Sequence, residues 1–572
     1  MRSIIALSTI ILLVFASCNF GGEDLSDKVA KGGAKYGGVF KFMSSEKISS
    51  LLPMSSASIY TQRVGSQVFE TILNLDPATE KIVPGLAKSY SINEDATQFT
   101  FQIRRGVYFH DDECFNGGKG RELDANDVKS TLDMACSKSV NNEIFWLLLS
   151  KIKGAKNYYD QSKVNISKGG VSGIKVIDNF TLRIDLEYSF VGFDKLLAHR
   201  SLGIFPREAF QEYGAEIGKH PVGTGPFKLE SWTDDKIVLT RNENYWKSDK
   251  YGNKLPFLAG IEVTYSKDKK SELLAFRKKE IDLVLQIPAE EIDNAIGSLS
   301  DAQAGKNVKH KIDSRPSLST AYFGFAGETK PFNDVNVRKA FNLALDREYL
   351  INNKLQGEGY PCLHGFVPSM PDYNTAEVIG YTFNKAQAQE LLLKAGYPNG
   401  KGFPKIILYV NTKAGSITHK VAIAVQEQLK KNLNIFIAIK LCSIKERDEA
   451  IKNGKAKFWR GGWIADYPDP ENFLSLFYGK NIDKNSVISN PFKYNNSDFD
   501  TYLETAMREK NPSTRSDLFE QCDQQIIDDA VVMPIYHAEF MTMVNNKIKN
   551  FHANSTEIID FSSIFIRDTD QE

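Results

Sequence analysis

Val222-Gly223-Thr224-Gly225-Pro226-Phe227-Lys228-Leu229, followed by Arg241-Asn242-Glu243-Asn244-Tyr245-Trp246, is the pair of stretches on which the fold turns. Gly223 and Gly225 supply the unusual torsions of a chain crossing between domains, and Pro226 stiffens the exit. A phosphate cradle does not fit, because no Gly-Lys-Ser/Thr follows and no strand-to-helix pattern frames the glycines.

Upstream, Gly37 to Phe42 alternates apolar residues as a strand does, Ile48 to Ile59 reads as a loop, and Val64 to Leu73 reads as a short helix. Phe99, Phe101 and Ile103 alternate with Thr100 and Gln102, the pattern of a half-buried strand. Asp124 stands where a helix cap belongs. Downstream, Val337, Ala340, Phe341 and Ala344 share one helical face, with Asn333 or Asp334 as the cap. Arg338 and Arg347 on this stretch read as structural charges. Asn384 to Ala395 is a further helix, stopped by Gly396 and Pro398, and Val421, Val425 and Leu429 space another.

A candidate ligand site lies at Phe458-Trp459-Arg460-Gly461-Gly462-Trp463-Ile464-Ala465-Asp466-Tyr467-Pro468-Asp469-Pro470. An aromatic strand ends in two glycines, a Trp and a carboxylate, and two prolines forbid its continuation. Glycine admits another backbone, Trp supplies a flat wall, and an acid at a strand end can hold a cationic group. Asp469 caps the helix that starts at Glu471.

With 572 residues the chain exceeds one core. Lys plus Arg equals Asp plus Glu at 71 each, so no global field favours nucleic acid. Arg2, the apolar run Ile4 to Phe15, and Ala16-Ser17 before Cys18 resemble a bacterial lipoprotein signal, with Phe15 where Leu is usual. This implies an exported chain: residues 1–17 a signal peptide, Cys18 the lipidated first residue, and 18–35 a flexible tether. Of the other cysteines, Cys114 and Cys136 flank one segment and could pair, whereas Cys362, Cys442 and Cys522 read as buried small hydrophobes. Eight scattered His without His-Glu-x-x-His spacing argue for no metal and no cofactor.

Several stretches, in order, carry one resemblance: Pro84-Gly85-Leu86-Ala87, Arg105-Gly106-Val107, Phe109-His110-Asp111, Ala125-Asn126-Asp127-Val128, the opening pair, Pro331 to Arg347, Ala395 to Pro398, and Met533-Pro534-Ile535-Tyr536. They resemble the family 5 extracellular solute-binding proteins of ABC importers, over about residues 36 to 550. The chain departs by expanding the turn from Asp112 to Arg121.

The resemblance implies an α/β, two-lobed periplasmic-binding-protein-like fold of type II, with three domains and a hinge. Domain I would comprise 36–72, 218–318 and 543–572, domain II 73–217, and domain III 319–542. A peptide, di- to oligopeptide, would be enclosed between the lobes and passed by a monomeric, lipid-anchored protein of the cell envelope to a membrane permease. Asp466 matches the acid that pairs with the ligand's α-amino group, and Gly462, Trp463 and Ile464 match the strand that pairs with its backbone. Arg460 and His364 are candidates for its carboxylate by residue type. Alternatives are another solute, such as a metal chelate or heme, and a chaperone-like envelope role. An exported enzyme is the rival from another class, with Ser44-Ser45-Glu46-Lys47 fitting Ser-x-x-Lys but lacking a Lys-Thr-Gly partner.

Overall fold

The computed structural model describes residues 28–55, 58–139, 142–162, 169–287, 311–355, 357–482 and 490–567. The expected signal peptide and Cys18 lie outside them. Residues 28–35, expected at the end of a tether, are fastened to the body together with Tyr36. Lys31 and Asn253 exchange hydrogen bonds, and Tyr36 packs on Phe257 with its hydroxyl donating to Lys254 O.

An eleven-stranded mixed sheet organises the molecule. Its order is Ile437–Cys442, Ile406–Asn411, Phe458–Ile464, Lys311–Phe325, Val532–Val544, Leu283–Leu285, Val39–Ser44, Gly260–Tyr265, Lys236–Arg241 and Phe227–Trp232, with Tyr360–Pro361 paired onto Val532–Val544. A separate antiparallel sheet joins Ala87–Ile92, Gln98–Ile103, Thr181–Asp185 and Ile174–Asp178. The strand at Gln98–Ile103 buries Phe99, Phe101 and Ile103, as the alternation requires.

Two long antiparallel strands, Lys311–Phe325 and Val532–Val544, run through both halves of the large sheet. Their pairing breaks between Pro316↔Glu539 and Thr320↔His537, so residues 317–319 face one residue of the partner. Extra residues on one strand bend it and interrupt the ladder.

One half is filled by an aromatic cluster in which Phe325, Phe332, Phe341 and Phe458 meet edge to face, tilted or stacked. Helix Val335–Leu343 supplies part of it and is capped by Asp334, whose side chain accepts from Asn336 N. Arg338 and Arg347 are structural, as expected, but backbone carbonyls rather than acids hold them. Arg347 is fully buried and donates to the carbonyls of Pro534, Asn342 and Tyr381, and burial pushes its pKa down to about 10. Helix Lys385–Lys394, within a residue of its expected limits, and helix Ile417–Leu433, which carries Val421, Val425 and Leu429 on its buried face, complete this half, and Asp124 caps Ala125–Ala135.

Several sequence readings are corrected or resolved. The helix expected over Val64–Leu73 lies earlier, at Ile59–Gly65, and Leu73 begins a strand. Gly223 and Gly225 do not adopt left-handed torsions. A Cβ on either would meet the Val68 carbonyl oxygen, at 2.0 and 2.6 Å, so they are glycine because another backbone lies against them. Cys114 and Cys136 are free thiols, and Cys442 is half-exposed rather than buried. Lys47 pairs with Asp234 at 2.8 Å, while the Ser44 hydroxyl donates to Glu46 O, so no Ser–Lys dyad forms.

The opening stretches instead converge on a residue they do not contain. Glu70, buried, accepts from Thr224 Oγ1, Tyr245 OH and Trp246 Nε1, each at 2.9 Å. His110 joins the same knot, its Nε2 lying 2.9 Å from Gly225 O, to which Asn242 Nδ2 also donates.

Candidate functional site

Strand Phe458–Ile464 pairs along its whole length with Ser319–Phe325 on one side. On the other side its pairing with Ile406–Asn411 ends at Trp459. From Gly461 to Ile464 that edge therefore has no strand partner among the described residues, and Ile464 is 71% exposed. The two glycines serve different ends. A Cβ on Gly461 would sit 2.3 Å from the Tyr322 ring, so that glycine admits a side chain of the protein, whereas Gly462 is exposed on the open edge.

Two residues past the strand's end, Asp466 lies in the wall of a cavity of about 240 Å³. Ile464 to Pro468 form one part of this wall and Lys195, His199 and Arg200 another. Ile59, from helix Ile59–Gly65, and Glu557, beyond strand Val532–Val544, line it as well, and Ser317 and Leu318 come from the interrupted stretch of the long strand.

Asn472, which sequence reasoning missed, shapes the acidic end. Its Oδ1 accepts from Trp463 Nε1 at 2.9 Å and from Asp466 N at 3.2 Å, and its Nδ2 donates to Asp466 Oδ2 at 3.1 Å. Asn472 lies in the short helix Pro470–Leu474, capped as expected by Asp469, whose side chain accepts from Glu471 N. No Lys or Arg among the described residues forms an ion pair with Asp466. Desolvation therefore raises its pKa to about 7, against the opposing pull of Asn472 and the more distant Lys151. Lys151 is committed elsewhere, buried and 3.5 Å from Glu471, which also accepts from Tyr467 OH.

Three residues on, Asp469 is fully buried and grips Arg515 through two hydrogen bonds of 2.8 and 2.9 Å, with Lys195 Nζ at 3.3 Å. Burial alone would raise its pKa, but the Arg515 and Lys195 charges hold it down to about 2.

Of the residues singled out from sequence, Asp466 and Ile464 line the cavity, and Trp463 is held beside Asp466 through Asn472. Gly462 stands on the open edge. Arg460 faces a different, small recess with Tyr322 and Tyr536, and His364 is exposed with its Nδ1 3.1 Å from Val378 O. A Cys362–His537 contact of 3.4 Å, unforeseen from sequence, is not poised for nucleophilic chemistry. Burial raises the thiol pKa and lowers the imidazole to about 4, leaving both neutral.

The fold is the two-lobed α/β fold of periplasmic binding proteins, with a cavity lined by segments far apart in the chain. The model of the bacterial extracellular solute-binding proteins, family 5, matches residues 81–485, and the chain belongs to that family, whose members serve ABC importers. The chain is 27% identical over 551 residues to the oligopeptide-binding protein OppA of Bacillus subtilis, covering 93% of each chain. It is 26% identical over 496 residues to heme-binding protein A of Haemophilus influenzae, covering 85% of this chain and 84% of that one. Among solved structures, the oligopeptide-binding protein OppAIV of Borrelia burgdorferi superposes with a TM-score of 0.70 at 26% identity, covering 93% of this chain and 100% of that one. These relatives are solute-binding proteins rather than enzymes. No helix of the described residues is long and apolar enough to cross a membrane.

Proposed function

We propose that this solute-binding protein captures peptides, pairing their α-ammonium with Asp466 and their main chain with the open edge Gly462–Ile464, and hands them to a membrane permease. The observation that carries this reading is the unpaired strand edge running directly into a desolvated carboxylate that lacks a cationic partner among the described residues. A peptide satisfies both at once: its backbone continues the ladder and its ammonium supplies the missing charge. The proposed division into 36–72 with 218–318 and 543–572, 73–217, and 319–542 puts the break at 317–319 at a crossing between lobes. We also propose that Cys18 carries the lipid that tethers a monomer to the envelope.

Calorimetry with a tripeptide and its N-acetylated form tests the reading. The free peptide is expected to bind and the acetylated one to bind far more weakly. No heat with a broad peptide mixture, or tight binding of heme in its place, would overturn it. Metabolic labelling with palmitate, lost in Cys18→Ser, tests the anchor.

A further inference from the structure

The segments 73–217 and 319–542 meet along a seam of discrete contacts. Val191 N donates to Met507 O at 2.9 Å, and Lys510 Nζ donates to Asn93 O at 2.7 Å. Lys195 bridges Asp372 and Asp469 at 3.2 and 3.3 Å, and Lys151 lies 3.5 Å from Glu471. The Phe190 ring meets that of Tyr467 edge to face at 6.3 Å. Among the described residues no strand of 73–217 pairs with a strand of 319–542, so the seam can part without unravelling a sheet.

One residue of the seam is glycine for the sake of the opposite side. The backbone of Gly192 has φ −71° and ψ 7°, which any residue adopts, so its torsions do not call for glycine. A Cβ there would stand 2.8 Å from Asp469 Oδ2 and 3.1 Å from Arg515 NH2, besides 3.0 Å from the neighbouring Phe190 ring. Neither charged group has room to yield, because Asp469 is fully buried and holds Arg515 through two hydrogen bonds. Val191 on one side of Gly192 and Lys195 three residues on make their own contacts across the seam, so a single turn lays a backbone, a missing side chain and a cation against the same place. Lys195 and Tyr467 also line the cavity that contains Asp466, so the seam borders it.

We propose that the turn Val191–Lys195 is a clasp between the lobes and that Gly192 is its positioning residue: the missing side chain lets the turn seat against the Asp469–Arg515 pair, and the seated turn sets how long a ligand is retained. The clasp rests on the division into 73–217 and 319–542, and retention rests in addition on the peptide reading. Parting leaves neither member of the Asp469–Arg515 pair without its partner, since both lie on one side, while Lys195 passes into water; the clasp is therefore reversible. A side chain at 192 is a wedge. It spares the cavity lining and the interior of each lobe but withholds the shut state, so ligand leaves faster while association changes little, the usual way in which related complexes differ.

The full-length double variant Val191→Cys, Met507→Cys carries the test, because backbones in direct hydrogen bond lie within disulfide reach. Oxidation by diamide without added ligand reads closing: adding Gly192→Val is expected to slow formation of the 191–507 cross-link, followed by peptide mapping, about tenfold or more, at unchanged circular dichroism. Unchanged locking overturns the assignment of Gly192. Solution scattering reads the division: the locked protein is expected to be more compact than Gly192→Val, and equal radii of gyration mean a seam that does not part and overturn the clasp. Stopped-flow release of a tripeptide is expected to be about tenfold or more faster from Gly192→Val than from the wild type; equal rates overturn the role in retention. A tripeptide that does not bind the wild type removes the peptide reading and leaves locking and scattering to decide the clasp. Where valine at 192 impairs folding, Lys195→Met goes through the same locking and scattering comparisons, with a smaller effect that Lys195→Arg is expected to reverse.

Discussion

The loop from Ala465 to Pro470 treats two carboxylates in opposite ways. At its far end Asp469 is sealed in, doubly bonded to Arg515 and close to Lys195, with its pKa held down to about 2. At its near end Asp466 has a neutral amide for company and a pKa raised to about 7. Burial acts on both; what differs is whether the protein supplies the countercharge. Where it does, the acid holds structure together, joining the helix Pro512–Asp528 to the segment around Lys195. Where it does not, burial favours the protonated acid, and ionisation gains from any cation that reaches it.

The largest effect expected from breaking that contrast is on stability. Asp469→Ala leaves Arg515 buried without its partner and should cost about 3–5 kcal/mol, read by denaturant unfolding, whereas Asp466→Ala should leave stability unchanged or slightly raised. The acid-limb signs differ too. The Asp469 contribution is complete above the ordinary carboxylate value of 3.8 and is lost as pH falls through about 2. Asp466 binds its proton more tightly when folded, so its ionisation opposes folding increasingly as pH rises from 3.8 to about 7. Next in size, Asp466→Ala should weaken peptide binding by about 2–5 kcal/mol; unchanged affinity in calorimetry would remove Asp466 from the site.

A smaller effect follows from protonation. Since an ammonium needs the ionised acid, affinity should rise with pH by up to about tenfold per unit below 7 and level off above it. Asp466→Asn should flatten that profile. Least of all, Asn472→Ala should cost about 1 kcal/mol of affinity, because it orients Asp466 and Trp463 without touching the ammonium. An effect as large as that of Asp466→Ala would make Asn472 a direct contact.

The contrast also marks what could be read in advance. The strands Gln98–Ile103 and Phe458–Ile464 and the helices capped by Asp124 and Asp334 were legible, because their periodicity and caps lie within a dozen residues. Asp466 was legible because glycines, Trp and acid are contiguous. Lys195 and Glu557 were not: each is one charged residue among many until the fold sets it in a cavity with segments around 317 and 466. Glu70 stayed hidden for the same reason, its hydroxyl and indole partners lying 154 to 176 residues away. The glycines at 223 and 225 were recognised but assigned the wrong cause, since a sequence does not distinguish a glycine needed for its torsion from one needed for its missing side chain.

The interruption between the two long strands has a mechanical consequence. Ser317 and Leu318 belong both to the stretch where the ladder breaks and to the cavity lining. Whatever occupies the cavity therefore bears on the bend directly, as a splint bears on a joint, and needs no relay to stiffen it. Amide exchange at 317–319 becomes a local gauge of occupancy, slowing when the cavity fills, while the sealed grip of Asp469 on Arg515 registers no change.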